Sequence, residues 1–160
     1  MDSSGTNRTS GTSGVFAREY EALDRAVEVG VAGGRVIAIS FPETVPDDAD
    51  TEHTLLDRID EYLRGEHDRF DDIDTGLTVP TEERRVLDAL REVPYGESVS
   101  VSRLTRTVGL DDNDADDLGD VKAALRGNPI PILLADHRVE GGPYATPRAV
   151  RATLRRVEGL

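Results

Sequence analysis

Apolar residues run at strand spacing early in this chain and mostly at helical spacing after it, and that switch limits what it can fold into. Val27, Val29 and Val31 alternate with Glu28 and Gly30, the two-residue period of a strand. Gly33-Gly34 break the run and Val36 to Phe41 is apolar again, which reads as a β-hairpin closed by a glycine turn. Leu55, Leu56, Ile59, Tyr62 and Leu63 then fall on one helical face that ends at Gly65. From there on, the apolar sets keep helical spacing: Val86, Leu87 and Leu90; Leu104 and Val108; Leu118, Val121 and Leu125; Val150, Leu154 and Val157.

Stop and start signals divide these segments. Residues 2–14 are Ser-, Thr- and Gly-rich and are expected to be disordered. The stretch FAREYEALDRA fits either a strand or a helix, and residues 42–53 form a Pro- and Asp-rich loop. Residues 66–80 are an acidic linker, which places a boundary between one domain at 15–79 and another at 80–160. In the second domain Thr81 is the expected N-cap, with Glu82 and Glu83 in the first turn. Pro94-Tyr95-Gly96 stops that helix. Ser100 caps the next, which ends at Gly109. Asp114 or a neighbour caps a third, with Gly127 as its C′ residue. The two short helices around a Gly-containing turn suggest a helix-turn-helix. Ile130 to Leu134 reads as a short extended segment. Thr146-Pro147 opens a final helix with Thr as N-cap and Pro in the first position, and Arg148, Arg151, Arg155 and Arg156 lie mostly off its apolar stripe.

Composition excludes several functions. The 160 residues contain no cysteine, so a disulfide scaffold, a cysteine zinc site and a cysteine nucleophile are all ruled out. No segment approaches the roughly 20 apolar residues of a membrane span, and the start lacks the basic and apolar regions of a signal peptide. The expectation is a soluble cytoplasmic protein without a metal or cofactor. The net charge is −13, and the bases are 18 Arg with only Lys122 as lysine. Acids spread along a chain nearly free of lysine suit a salt-rich, halophilic cytoplasm. Residues 111–120 hold six Asp and no base, whereas residues 121–160 carry seven bases against three acids, net +4. That positive segment is a local hint of an anionic partner.

Three segments, PYGESVSVSRL (94–104), RGNPIPILLADHRV (126–139) and GGPYATPRAVRATLRRVEG (141–159), occur in an order and spacing that resembles the O6-alkylguanine-DNA alkyltransferases. The similarity covers about residues 15–160, because LLDRIDEYLRGEHDRF also resembles the family's first domain. The resemblance implies an α+β fold: a small N-terminal sheet-plus-helix domain, then a mainly helical domain whose helix-turn-helix enters the minor groove. In the family, the target nucleotide is flipped beneath an active-site segment with the motif Pro-Cys-His-Arg-Val.

Here that motif is Ala135-Asp136-His137-Arg138-Val139, so Asp136 stands at the acceptor cysteine. A carboxylate is a poorer nucleophile than a thiolate toward an alkyl carbon, and its ester product can hydrolyse. By resemblance, His137 matches the histidine that deprotonates the cysteine and Glu158 the glutamate that orients it. Asn128 matches the hinge asparagine and Tyr144 a pocket tyrosine. The DNA side and base pocket would draw on Asn128, Arg138, Tyr144, Gly119, Val101 and Arg126. Gly119, counted back from Arg126, replaces the arginine that fills the gap left by the flipped base, and Val101 replaces a tyrosine that helps to rotate it. Facing a base, Asp136 would suit an exocyclic amine. Alternatively it pairs with Arg138 or His137 as a structural ion pair.

Three functions follow from these departures. The first is a non-transferring alkyltransferase-like protein, a monomer that binds double-stranded DNA, with altered bases and excision-repair proteins as its partners. The second is an interaction paralogue that has lost DNA recognition. The third is an enzyme in which Asp136 and His137 activate water. An ordinary alkyltransferase is contradicted by the absence of cysteine.

Overall fold

The computed structural model describes residues 13–160. Residues 1–12 of the tail expected to be disordered lie outside that range. Its last two residues are held: Ser13 Oγ accepts a hydrogen bond from the Gly33 N–H at 3.0 Å, and Gly14 opens the first strand.

Strands β1 (Gly14–Tyr20), β2 (Arg25–Ala32) and β3 (Arg35–Ser40) form an antiparallel sheet in that order. The ambiguous FAREYEALDRA resolves into the end of β1, a one-turn 3-10 segment at Glu21–Leu23 and the start of β2. Gly33 and Gly34 both take positive φ, 59° and 79°. This is the two-residue hairpin geometry that β-carbons disfavour. Helix α1 (Thr54–Leu63) buries Leu55, Leu56, Ile59 and Tyr62. Its N-cap is His53, whose Nδ1 accepts the Leu55 N–H.

The acidic stretch 66–80 is packed. Phe70 is buried. Arg58 reaches Asp68 at 2.7 Å and Asp72 at 2.9 Å, and Arg91 donates to the carbonyls of Phe70 and Ile73. One apolar cluster runs from the sheet through to the last helix, and the Ile39 N–H donates to the Pro129 carbonyl.

Helix α2 (Thr81–Arg91) begins at Thr81 itself; Pro80 takes the N-cap position, and no side chain caps it. A two-residue strand β4 (Val99–Ser100) pairs in parallel with β5 (Val139–Glu140). Helix α3 (Val101–Thr107) is capped by Ser100, and α4 (Ala115–Arg126) by Asp114, both as expected. Gly127 follows α4 at φ −93°, so it closes the helix without the left-handed step of a C′ glycine.

Ile130 to Leu134 is a turn and not an extended segment. Leu134 N–H donates to the Ile130 carbonyl, and Ile132 has φ 78°. The cause is Asn128. Its Nδ2 donates to the Leu134 carbonyl at 2.7 Å while its Oδ1 accepts the Ile130 N–H at 3.0 Å, so the loop is bonded to its own side chain and needs no strand partner. A β-branched residue at positive φ costs on the order of 1–3 kcal/mol, and such strain gathers at functional segments.

Helix α5 (Arg148–Glu158) also differs in detail. Its buried row is Val150, Leu154 and Glu158, with Val157 only half-buried. Steps of four keep one face, and position 157 falls to its side. Pro147 precedes the first helical residue, and Thr146 caps nothing because its hydroxyl is used elsewhere. Among the described residues, no helix is long and apolar enough to cross a membrane.

Candidate functional site

Residues 136–138 form a single 3-10 turn between the Asn128-bonded loop and β5. All three side chains are buried. They diverge into two separate clusters, each built around a carboxylate.

The first cluster holds Asp136, which has no exposed surface. Its Oδ2 accepts the N–H groups of Ala145 at 2.8 Å and Thr146 at 3.2 Å, with Asn128 Nδ2 at 3.4 Å. Its Oδ1 accepts the Thr146 hydroxyl at 2.5 Å. Burial raises the Asp136 pKa above its ordinary value, against the opposing pull of the bonds from Thr146 and Ala145. The expectation that Asp136 pairs with Arg138 or His137 does not hold. Its partners are backbone amides, an amide side chain and a hydroxyl, because the side chains of both His137 and Arg138 turn toward Glu158.

The second cluster is centred on Glu158, delivered by the last turn of α5. Arg138 grips it as a fork, Nε to Oε1 at 2.8 Å and Nη2 to Oε2 at 3.0 Å. His137 Nε2 lies 2.7 Å from Oε2, and the Tyr62 hydroxyl donates to the same oxygen at 2.5 Å. The Gly96 N–H donates to Oε1. Desolvation acts to raise the Glu158 pKa, but the bonds from His137 and Arg138 outweigh it and hold the carboxyl well below its usual range. An ionised Glu158 accepts from His137 Nε2, and the ring's other nitrogen is Nδ1. That buried atom has no partner among the described residues. Burial, with the Glu158 charge beside it, pushes the Tyr62 hydroxyl pKa up, so Tyr62 stays a donor.

The remaining expected positions are scattered. Tyr144 is half-buried, donates to the Val139 carbonyl at 2.8 Å and carries the Arg151 guanidinium 4.2 Å above its ring. Val101 is buried at the start of α3. Gly119 and Arg126 are exposed on α4, and a Cβ at Gly119 would meet nothing within 4 Å. Sequence reasoning missed Tyr62 and Thr146. Tyr62 sits on an apolar helical face and looks like core. Thr146 precedes a proline and looks like a cap. Among the described residues, no group of three or more His, Asp or Glu is arranged to hold a metal ion.

Each oxygen of the Asp136 carboxylate carries a protein donor, and the cluster offers no surface to a reactant. The Glu158 cluster is a compensated buried ion pair with one ring nitrogen, His137 Nδ1, left without a partner among the described residues.

Comparison with known proteins gives a consistent assignment. No protein-family model matches the chain. It is 32% identical over 89 residues to a methylated-DNA–protein-cysteine methyltransferase of Methanopyrus kandleri, a match covering 56% of this chain and 63% of that protein. It is 30% identical over 109 residues to the protein of that name in Metallosphaera sedula, covering 66% of each. The chain thus spans slightly less than two thirds of the curated relatives it matches. A variant of the Mycobacterium tuberculosis O6-methylguanine methyltransferase superposes with a TM-score of 0.73 at 21% identity, over 90% of this chain and 91% of that one. The same organism's OGT in complex with DNA gives 0.71 at 20% identity, with the same coverage. With the fold shared and the sulfur missing, the chain is a cysteine-less member of the methylated-DNA–protein-cysteine methyltransferase family.

Proposed function

We propose that this protein is a non-transferring alkyltransferase homologue that engages double-stranded DNA in repair, with residues 80–160 as its DNA-facing domain. One observation carries the absence of transfer. At the acceptor position, both oxygens of Asp136 are taken by protein donors, and the side chain has no exposed surface. Attack on an alkyl carbon needs a free, accessible lone pair, and each displaced hydrogen bond to a buried charge costs about 1.5–3 kcal/mol. Water activation by Asp136 meets the same obstacle.

DNA engagement rests on the relatives, one of which was solved with DNA, and on the net +4 charge of residues 121–160. Helices α3 and α4 supply the helix-turn-helix of this reading, α4 with Arg126 at its last turn. The halophile composition fits a protein whose surface acids are screened at working salt. Excision-repair proteins are the partners that a binder without chemistry would serve, and a monomer suffices for that role.

A second reading, a paralogue that no longer binds DNA, is favoured by the exposed surface of α4. Asp116 and Asp120 flank Gly119 there, where neutralised phosphates would otherwise supply affinity.

Binding of the full chain to duplex oligonucleotides, with and without O6-methylguanine, at low and molar salt separates these readings. Saturable duplex binding with no methyl retained on the protein supports the first. Absence of binding at both salts supports the second. A labelled methyl group that stays on the protein overturns both.

A further inference from the structure

A cleft of about 480 Å³ opens between residues 67–69, the Pro94–Gly96 loop and the C-terminal end of α5. That volume lies within the range of small-molecule sites. Neither α3 nor α4 lines it, so it lies apart from the helix-turn-helix of the proposed function.

Its chemistry runs against the rest of the molecule. In a chain of net charge −13, the cleft is lined by two exposed arginines, Arg69 and Arg156. Neither has a carboxylate within ion-pair distance among the described residues. The sole acid in the lining is Glu158, whose carboxylate is buried and already compensated by Arg138 and His137. The cleft therefore presents uncompensated positive charge. It also presents an aromatic surface. The exposed His67 ring lies on Tyr95 with centroids 4.3 Å apart and planes tilted by 26°. Tyr95 in turn abuts Tyr62 edge-on at 6.0 Å, which anchors the stack to the core. At Gly159, a missing Cβ leaves open space along the wall.

We propose that this cleft binds a mononucleotide. The guanidinium groups of Arg69 and Arg156 take the phosphate through charge-assisted hydrogen bonds. The outer face of His67, backed by Tyr95, takes the base by stacking. The phosphate alone would satisfy the arginines and the base alone the ring; only a molecule carrying both uses the whole lining.

The test titrates the full chain at low salt with adenosine 5′-monophosphate, inorganic phosphate and adenosine, followed by calorimetry and by the ring resonances of His67 and Tyr95. The expected result is saturable binding of the monophosphate, with phosphate and adenosine each about tenfold weaker or more, and the His67 and Tyr95 resonances shifting with saturation. Arg69→Ala and Arg156→Ala each weaken the monophosphate about tenfold. His67→Ala removes its advantage over phosphate and leaves phosphate binding in place. All three side chains are exposed, so the variants keep the fold, and circular dichroism verifies it. A monophosphate that binds no better than phosphate, or that binds the arginine variants as tightly as the parent, overturns the proposal; so does a titration that never saturates. Duplex DNA binding can fail while this site binds, so the two failures are distinguishable.

Discussion

The Thr146 hydroxyl donates a hydrogen bond to Asp136 Oδ1 at 2.5 Å, and the backbone N–H of the same residue donates to Oδ2 at 3.2 Å. One residue thus closes both oxygens of the group that stands where the family's acceptor stands. It can do so because Pro147 takes the N-cap position of α5 and no side chain caps the helix, which leaves the Thr146 hydroxyl free to turn inward. Thr146→Val keeps the shape and deletes the donor. It is expected to lose about 1.5–3 kcal/mol of stability, the usual scale for a hydrogen bond to a buried charge. Thr146→Ser retains the donor and should lose less. Urea denaturation of the two variants beside the parent checks the difference.

The two carboxylates of the site couple to pH in opposite senses. Glu158, held below its ordinary value of 4.5, binds a proton less readily folded than unfolded. Its stabilisation is fully present above 4.5 and is lost as pH falls through the lowered folded value. Asp136, raised by burial above its ordinary 3.8, binds a proton more readily when folded. Its contribution is fully present below 3.8 and is lost as pH rises through the raised folded value. Glu158→Gln should therefore show a flatter acid limb in a stability–pH profile. It should also lose about 3–5 kcal/mol near neutrality, because Arg138 is left buried without its counter-charge. Asp136→Asn should flatten the opposing slope, the fall in stability with rising pH. Its amide cannot accept at both former oxygen positions, so it should also be less stable overall. Denaturant midpoints measured from acid to neutral pH separate the two effects.

Tyr62 ties the first half of the chain to the site, since its hydroxyl donates to Glu158 across 96 positions of sequence. Tyr62→Phe removes that donor and keeps the ring that packs edge-on against Phe70 and Tyr95. The expected cost is about 1.5–3 kcal/mol, from the lost bond to a charged acceptor. A double-mutant cycle with Glu158→Gln should show coupling, because both changes break the same contact. Additive losses would mean that the hydroxyl contributes nothing through Glu158.

What could be read from the sequence was whatever depends on local periodicity. The hairpin at Gly33-Gly34, helix α1 and the caps at Ser100 and Asp114 all follow from residues within a few positions of one another. Asp136, His137 and Glu158 were found by their place in the family's motif. The partners that define the site were not legible, because each depends on a contact outside its own segment. The periodicity of α1 places Tyr62 in the core, where its ring does lie, and is silent about its hydroxyl. Ile130 to Leu134 is apolar enough for a strand, yet Asn128 satisfies both of its ends and bends it into a turn. Val157 was expected in the buried row of α5, but Glu158 is drawn in by Arg138 and His137, and a charge that well compensated can occupy a core position.

The surface of α4 offers the sharpest test of DNA engagement. Gly119 lies in the interior of this helix, exposed and with open space around a built Cβ. Gly119→Ala should therefore stabilise the protein by about 0.5–1 kcal/mol, by restricting the unfolded chain and favouring the helix. Gly119→Arg has the same room and puts a cation between Asp116 and Asp120. If α4 docks on duplex DNA, this variant should bind more tightly than the parent at low salt, and the slope of log affinity against log salt should steepen by roughly one unit. If the paralogue has left DNA altogether, the arginine changes thermal stability alone, and fluorescence anisotropy with a labelled duplex stays flat for parent and variant alike.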